Sequence, residues 1–315
     1  MTDTPGITLL PYSYLVGQEA VRRALEIAYA APGLGGLLLS GERGTAKSTA
    51  VRSFAMMAYG RLPVTLPINA TDDRVLGGLR VDALLEGRSE AEPGLLERAG
   101  ESGVLYVDEV NLLDDHVVNL ILDVVATGLL VVQREGLDRP EVPVSFTLIG
   151  TMNPEEGWLR PQLLDRFGLV VPVEAEAEAA VRRNILMTVL RFEEERTWDR
   201  SPWLEAGRER DREQRERLVK AREAVKDVVL SDEAYSACAD IAAAFELVGH
   251  RGEVVMAQAA RAAAALDGRT SVVAGDVQDV APYAIMHRRP QSAYGEDIGW
   301  NDQDAQMLDR VCAGG

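Results

Sequence analysis

Cysteine and histidine are scarce in this chain of 315 residues, which contains two of the first and three of the second. Cys238 and Cys312 form neither a metal-binding spacing nor a disulfide framework, which favours the reducing cytosol. The N-terminus lacks the basic region of a signal peptide. The longest uncharged apolar stretch, residues 27–40, is interrupted by Pro and Gly and is too short to span a bilayer. We therefore expect a cytoplasmic protein without a membrane-inserted segment.

Positive charge is in deficit, and lysine is rarer still. The 33 Lys and Arg residues face 50 Asp and Glu residues, which gives a formal net charge of −17. This charge repels nucleic acid and anionic membranes at long range, so neither is expected as a partner. The only lysines are Lys47, Lys220 and Lys226, and the first of them lies in a Gly-rich turn. A lysine kept there, in a chain that otherwise uses Arg, requires a chemical reason.

The first half of the chain alternates short apolar strands with helical patterns. Strands are predicted at residues 36–40, 64–68, 103–107, 146–150 and 169–173, with helices between them. Strands that alternate with helices indicate a parallel sheet covered on both faces. The fold class predicted is therefore α/β, with a parallel sheet flanked by helices.

The composition changes after the last predicted strand. A stretch dense in Arg and Glu indicates a solvated helix or linker, and an Ala- and Val-rich helical segment follows it. We expect an α/β domain over residues 1–190, a charged helical connector over 191–228 and a small helical domain over 229–315. Within the first domain we expect an exposed insertion over residues 77–94 and a hairpin over 131–146.

One Gly-rich turn nearly matches a phosphate-binding loop: Gly41-Glu42-Arg43-Gly44-Thr45-Ala46-Lys47-Ser48. In such a loop the backbone N–H groups and a helix N-terminus cradle phosphates, the lysine contacts the β- and γ-phosphates, and the hydroxyl binds Mg²⁺. We therefore predict nucleotide contacts from Gly41 through Thr49. Ala46 replaces the usual second Gly, and its methyl group is tolerated only if its φ stays negative. The alternative is an accidental turn between a strand and a helix.

Two adjacent carboxylates, Asp108 and Glu109, end the apolar strand that follows. Ligands of parallel α/β sheets bind at the carboxyl ends of the strands. We predict that Asp108 holds Mg²⁺ together with Ser48, and that Glu109 polarises a water for attack on the γ-phosphate. Acidic residues often follow strands, but their position after a phosphate loop makes this pair specific.

Three further residues have two interpretations each. Asn153 could orient the attacking water, or it could be a turn residue before Pro154. Arg166 could neutralise transition-state charge in an adjacent subunit, or it could pair with Asp165. Arg251, just before a helical run, could meet an anion there or be exposed to solvent. The residues themselves leave these alternatives open.

The ordered set of motifs resembles the AAA+ ATPases, and within them the ATPase (I) subunit of magnesium chelatase. The matching stretches lie between residues 10 and 290 and comprise 15–20, 41–48, 70–77, 92–96, 105–116 and 150–168. The resemblance implies an AAA+ P-loop domain followed by a C-terminal helical lid domain.

The resemblance also implies roles for single residues. Asn153 becomes the sensor-1 residue, and Arg166 becomes the finger that acts across a ring interface. Arg251 becomes the sensor-2 residue of the lid. Val16 and Gly17 are expected to line the adenine pocket.

Cofactors and partners follow from the same resemblance. It implies ATP and Mg²⁺, and a homo-oligomeric ring that is usually a hexamer. It implies a motor for insertion of magnesium or cobalt into a tetrapyrrole, with an integrin-like (von Willebrand A) subunit and a large porphyrin-binding subunit. The inserted metal would not be bound by this chain.

Two other functions stay open. The segment between Tyr59 and Asn69 is shorter than in photosynthetic chelatase subunits, so the same motor could serve a cobalt chelatase or a chaperone-like AAA+ ATPase that remodels a von Willebrand A partner. A nucleotide-gated scaffold with little turnover is favoured by Ala46 alone. A GTPase switch is disfavoured, because neither Lys220 nor Lys226 lies in a base-reading motif.

Overall fold

The computed structural model describes residues 8–80, 82, 91–134, 137–138, 141–290 and 298–313. Its strands, numbered along the chain, are β1 (Leu37–Ser40), β2 (Val64–Leu66), β3 (Gly77–Leu79), β4 (Ala91–Pro93), β5 (Val104–Val107), β6 (Leu129–Leu130), β7 (Gln133–Arg134), β8 (Leu137–Asp138), β9 (Val142–Pro143), β10 (Thr147–Met152), β11 (Leu169–Pro172), β12 (Val229–Leu230) and β13 (Ser271–Val272). Its α-helices are α1 (Glu19–Ala30), α2 (Lys47–Tyr59), α3 (Asp72–Leu76), α4 (Leu95–Ser102), α5 (Asp115–Thr127), α6 (Pro161–Leu164), α7 (Ala179–Glu195), α8 (Pro202–Ala224), α9 (Asp232–Ala244), α10 (Arg251–Leu266), α11 (Ala274–Ile285) and α12 (Asp302–Ala313). None of the helices in these ranges is both long and apolar enough to cross a membrane.

A five-stranded sheet with the order β11-β1-β10-β5-β2 forms the centre of the first domain. Every neighbouring pair in it is parallel, with Leu37 opposite Ile149 and Thr147 opposite Val104. The predicted parallel α/β fold is confirmed. Because the strands are parallel, β1, β5 and β10 all end at the same edge, where the predicted site residues follow them.

The sheet is buried on both faces, as its continuous apolar strands require. Leu37 and Leu39 of β1 pack on one side with α1 and α2, whereas Leu38 packs on the other side with α4 and α5. Successive side chains of a strand point to opposite faces, which explains this division. The first cluster also contains the apolar residues of α9, α10 and α11, so the helical domain shares a core with this face of the sheet.

The charged stretch after the sheet is not a detached solvated linker. Its main helix, α8, packs against α1, α2 and the N-terminal segment. The Asp211 carboxylate accepts hydrogen bonds from the backbone N–H groups of Tyr12 and Ser13 at 3.0 and 2.8 Å. Arg217 pairs at 2.7 Å with the buried Glu26 of α1. Pairing allows these charges to lie against the core, which composition alone did not indicate.

Several element boundaries differ from the predictions. The strand expected over residues 64–68 ends at Leu66. The hairpin expected over 131–146 is represented by two antiparallel pairs, β6 with β9 and β7 with β8, and β6 lies just before residue 131. The base of the predicted insertion is the antiparallel pair β3 and β4. Residues 81 and 83–90 of that insertion lie outside the described residues. The boundaries between the three predicted domains remain a prediction.

Candidate nucleotide-binding site

The phosphate loop leaves the end of β1 and leads directly into α2. The backbone N–H of Gly41 donates to the carbonyl of Met152 at 3.1 Å, which ties the start of the loop to β10. A Cβ atom at Gly41 would lie 2.0 Å from the carbonyl oxygen of Val173, so only glycine fits there. The loop is thereby held at the edge of the sheet where Asp108, Glu109 and Asn153 emerge.

Lys47 donates from its ammonium group to carbonyl groups of the loop itself. Its partners are the carbonyl oxygens of Gly41 and of Glu42, the second at 2.7 Å. Partial burial lowers the pKa of Lys47, and the nearby carboxylates Asp108 and Glu109 oppose that shift. A phosphate group in the loop would give this ammonium a charged partner in place of neutral carbonyls, which is the stronger kind of hydrogen bond.

Ala46 adopts a left-handed conformation, with φ of 61°. The condition given above for tolerating its methyl group, a negative φ, is therefore not met. Ala46 is the residue at which the loop turns into α2, directly before the first residue of that helix. Its Cβ atom makes that conformation unfavourable by about 1–2 kcal/mol compared with a right-handed one.

Ser48 and Asp108 meet at the hydroxyl group of Tyr106. This oxygen lies 2.7 Å from Asp108 Oδ1 and 3.0 Å from Ser48 Oγ. Burial raises the pKa of Tyr106 to about 12, so the phenol keeps its proton at neutral pH. The single phenol proton can be donated to the Asp108 carboxylate or to the Ser48 hydroxyl, and both oxygens lie within hydrogen-bond distance as acceptors. Thr151 of β10 donates a second hydrogen bond to Asp108 Oδ1 at 2.7 Å.

Neither Tyr106 nor Thr151 was predicted as part of the site. Tyr106 lies two residues before Asp108 on a fully buried strand, so the apolar pattern assigns it to the core. Residues two apart on a strand share a face, however, and a tyrosine in that position before an acidic residue is a usable signal.

Glu109 also has a left-handed backbone, with φ of 54°. Its N–H donates to Thr151 Oγ1 at 3.2 Å, which fixes the turn. Its carboxylate lies 3.7 Å from the guanidinium of Arg43 in the phosphate loop. Sparsely populated backbone conformations of this kind concentrate at functional sites.

Asn153 is buried at the end of β10, and its side-chain oxygen accepts from the N–H of Glu155 at 3.2 Å. This bond caps the short 3-10 helix formed by Pro154–Glu156. The turn role is therefore present in the structure, on the same edge of the sheet as Asp108 and Glu109.

The two candidate arginines meet at one short segment. Arg166 pairs with Asn119 and Asp123 of α5 and not with its neighbour Asp165, which was the alternative considered above. Asp165 instead forms ion pairs with Arg251 at 3.4 Å and with the buried Arg288 at 3.2 Å. Residues from the helical domain thus hold the segment that carries Arg166.

A cavity of about 420 Å³ lies beside the phosphate loop. Val16 and Gly17 line it on one side, together with Ala46 and Thr49 of the loop and its helix. Its opposite wall consists of apolar side chains of α7, including Leu186 and Val189. Gln18 joins the Val16–Gly17 segment to the phosphate loop, because its side-chain amide donates to the carbonyl of Thr45. The size and the apolar walls suit a planar base.

The residues at this edge fit a hydrated Mg²⁺ bound together with phosphates. Mg²⁺ prefers hard oxygen ligands and commonly takes one or two protein oxygens in addition to those of a nucleotide. The Ser48 hydroxyl and the Asp108 carboxylate are two such oxygens, and both are within 3.0 Å of the single Tyr106 hydroxyl. The Ser48 and Asp108 oxygens are therefore suitable ligands for Mg²⁺.

The parallel sheet, the phosphate loop after β1 and the acidic pair after β5 define a P-loop protein of the AAA+ type. Residues 36–167 match the model of the AAA domain (dynein-related subfamily), and residues 235–308 match that of the AAA lid domain. A crystal structure of a candidate ATPase from Cytophaga hutchinsonii has the same fold, with a TM-score of 0.68 at 18% identity over 96% of this chain and 90% of that one.

Two relatives identify the family more specifically. The chain is 36% identical to the magnesium-chelatase subunit ChlI homolog of Methanocaldococcus jannaschii, over 89% of this chain and 85% of that protein. It is 39% identical to the magnesium-chelatase 38 kDa subunit of Rhodobacter capsulatus, over 89% of this chain and 88% of that one. The chain belongs to the family of the magnesium-chelatase I subunits, within the AAA+ ATPases.

One longer relative shares the same region. An uncharacterized protein of Mycobacterium tuberculosis, Rv2850c, is 42% identical over 96% of this chain. The chain spans only 48% of the length of that relative.

Proposed function

We propose that this chain binds ATP with Mg²⁺ and hydrolyses it as the motor subunit of a chelatase-type assembly. One observation carries the proposal: Ser48 of the phosphate loop and Asp108 of the acidic pair converge on the Tyr106 hydroxyl. This convergence supports a single Mg²⁺ site that both motifs would share. The adjoining cavity between Val16, Gly17 and α7 would take the adenine.

The phosphate-binding residues have distinct tasks in this proposal. Backbone N–H groups from Gly44 to Thr49 would surround the phosphates at the N-terminus of α2, where the helix dipole favours negative charge. Lys47 would exchange its carbonyl partners for the β- and γ-phosphates. Ser48 and Asp108 would hold Mg²⁺, which neutralises charge that develops on the phosphates.

The hydrolytic water would be handled by Glu109 and Asn153. Both follow strands that end at the edge where the phosphates would lie. The Glu109 carboxylate would accept a proton from the water, while the buried Asn153 amide would orient it. The left-handed backbone of Glu109 sets the direction in which its carboxylate leaves the strand.

Arg166 would complete the site of a neighbouring copy in a ring. In its own chain its guanidinium pairs with Asp123, which has a half-exposed side chain. Arg251 is linked to the same segment through Asp165, so we expect both arginines to meet the neighbour's nucleotide together. A positive group supplied in this way stabilises the transition state for phosphoryl transfer.

Phosphate release by the purified chain tests the hydrolysis. The wild type and Glu109→Gln are compared for steady-state release, and binding of a fluorescent ATP analogue is measured on both. Hydrolysis predicts that the substitution removes turnover and keeps binding. Equal phosphate release by both proteins would favour the nucleotide-gated scaffold instead.

Mixing two inactive variants tests the shared site. Arg166→Ala is expected to bind ATP without turnover, and Lys47→Ala is expected to lose nucleotide binding. Mixed rings would contain complete sites, so the mixture should recover part of the activity. Subunit exchange is verified with fluorescently labelled chains, and exchange without recovery would contradict a finger that acts between subunits.

The chelatase role is proposed from the family. The relatives from Methanocaldococcus jannaschii and Rhodobacter capsulatus are named as subunits, which supports a multi-protein assembly. We expect a von Willebrand A (integrin-like) subunit and a large porphyrin-binding subunit as partners, with magnesium or cobalt as the inserted metal. Affinity purification of the full chain in the presence of ATP tests this. Recovery of a porphyrin-binding subunit supports the chelatase.

A chaperone-like ATPase is the second candidate. The connection from α2 to β2 consists of only residues 60–63. It leaves no room for the additional segment that photosynthetic chelatase subunits carry there, which supports a role outside photosynthesis. In that case a von Willebrand A protein would be recovered in the same purification without a porphyrin-binding subunit.

A further inference from the structure

A charged cluster lies beside the proposed catalytic carboxylate, formed by Arg43, Glu109 and Glu156. Arg43 is the third residue of the phosphate loop, where the loop pattern accepts any residue. Glu156 is the last residue of the 3-10 helix after Asn153. Their pairing is not required by phosphate binding, and Glu156 has no role in the site described so far.

The guanidinium of Arg43 is shared unequally between the two carboxylates. It donates a hydrogen bond to Glu156 Oε1. Glu109 Oε1 lies 3.7 Å away, within ion-pair distance but beyond a hydrogen bond. In this arrangement Arg43 is held by Glu156 and only attracted by Glu109.

Glu156 is the more firmly positioned of the two carboxylates. Its backbone N–H donates to the carbonyl of Asn153 at 3.1 Å, inside a turn that the Asn153 side chain also caps. Its Oε2 atom is buried and has no hydrogen-bond partner among the described residues. The Glu156 side chain is half-buried, and its one ion pair in the described part of the chain is with the exposed guanidinium of Arg43, so this carboxylate relies on Arg43 for its counter-charge.

A general base needs a free lone pair that faces the water. An arginine released from Glu156 would be free to form a bidentate pair with Glu109, which would occupy both carboxylate oxygens. We propose that Glu156 is a positioning residue that retains Arg43 and thereby keeps Glu109 available for the water. This inference rests on the proposed function of Glu109 in ATP hydrolysis.

A double-mutant cycle on the full chain tests the inference. Glu156→Gln removes the charge that holds Arg43, and we expect kcat to fall about tenfold, a part of the contribution of a general base. Affinity for a fluorescent ATP analogue should change by less than about threefold, since Lys47 and Ser48 are untouched. In an Arg43→Ala background, Glu156→Gln should cause no further fall in kcat below that of Arg43→Ala alone, because no guanidinium remains to occupy Glu109.

Two controls separate this effect from a general loss of charge or structure. Glu155→Gln removes the same charge from the preceding, exposed residue and should leave kcat at the wild-type value. Glu156→Asp keeps a carboxylate and should recover part of the activity. Thermal melting of every variant shows whether the fold is retained.

Several outcomes would overturn the inference. An equal loss of kcat on Glu156→Gln with and without Arg43 would show that Glu156 acts by another route. An Arg43→Ala chain without turnover would show that Arg43 is required rather than inhibitory at Glu109. A wild type that releases no phosphate would contradict the proposed function itself. Wild-type hydrolysis without coupling between Arg43 and Glu156 would contradict this inference alone.

Discussion

Removing the Tyr106 hydroxyl tests whether the two nucleotide motifs are joined as the geometry indicates. Tyr106→Phe keeps the ring in the core and deletes the oxygen that lies 2.7 Å from Asp108 and 3.0 Å from Ser48. A hydrogen bond to a charged group contributes about 1.5–3 kcal/mol. Thr151 still donates to Asp108, so we take the lower end, about 1.5 kcal/mol. That value corresponds to an approximately tenfold weaker affinity for the metal-bound nucleotide.

The assay separates the metal from the nucleotide. Binding of a fluorescent ATP analogue is titrated with Mg²⁺, and binding of the same analogue is measured in the presence of a chelator. We expect Tyr106→Phe to raise the Mg²⁺ concentration needed for half-maximal binding about tenfold and to leave the metal-free affinity nearly unchanged. The reason is that the phosphate contacts of Lys47 do not involve Tyr106.

Tyr59→Phe is the matched control. Tyr59 is half-buried, its pKa is also raised to about 12, and its hydroxyl lies 2.7 Å from Thr147 of the same sheet. It has no hydrogen bond to Ser48 or Asp108 in the described part of the chain. We expect a loss of about 1 kcal/mol of stability and no change in the Mg²⁺ requirement. An unchanged Mg²⁺ requirement in Tyr106→Phe would refute a role for this hydroxyl in aligning the two motifs.

Three further predictions concern stability. Ala46→Gly removes the strain of a left-handed alanine but adds conformational freedom to the unfolded chain. Urea denaturation should therefore show a net rise of about 0.5–1 kcal/mol in the free energy of unfolding. A fall in that free energy would argue against strain at Ala46. Burial, and then the neighbouring charge of Arg288, lowers the pKa of His287 well below its usual value, so the unfolded chain binds more protons at acidic pH. The free energy of unfolding should therefore fall by up to about 1.4 kcal/mol for each pH unit below about pH 6.5. Urea denaturation at about pH 7.5 and about pH 5.5 measures this loss. His287→Gln should reduce the loss, whereas His116→Gln, at an exposed position, should not. Asp211→Ala removes two backbone hydrogen bonds to a carboxylate and should cost about 2 kcal/mol, and an unchanged melting temperature would show that water replaces them.

The strands and the two motifs could be predicted because their signals are local. An apolar run such as β1 or β5 indicates a buried strand wherever it lies in the chain, and the residues that follow it lie at the strand's carboxyl end. The parallel sheet and the family resemblance were confirmed for this reason. The same logic did not single out Tyr106 as a site residue, because an aromatic residue in an apolar strand is usually core and its hydroxyl does not alter the pattern.

The backbone of Ala46 shows a different limit. Its residue type favours a negative φ, yet it is left-handed where the turn from β1 enters α2. The conformation is decided by where the strand and the helix must lie, and their packing outweighs a local preference of about 1–2 kcal/mol.

The amino-acid sequence by itself determined which residues could bind a phosphate, a metal and a water, because each motif is a contiguous segment with its own chemistry. Tertiary structure alone decided which distant residues share a surface. It joined Val16 to α7 around one cavity, placed Glu156 against Arg43, and attached Arg251 to Asp165 from a separate domain. Such pairings depend on how helices pack on the sheet, and no local pattern of residues encodes the distance between two segments that meet only after folding.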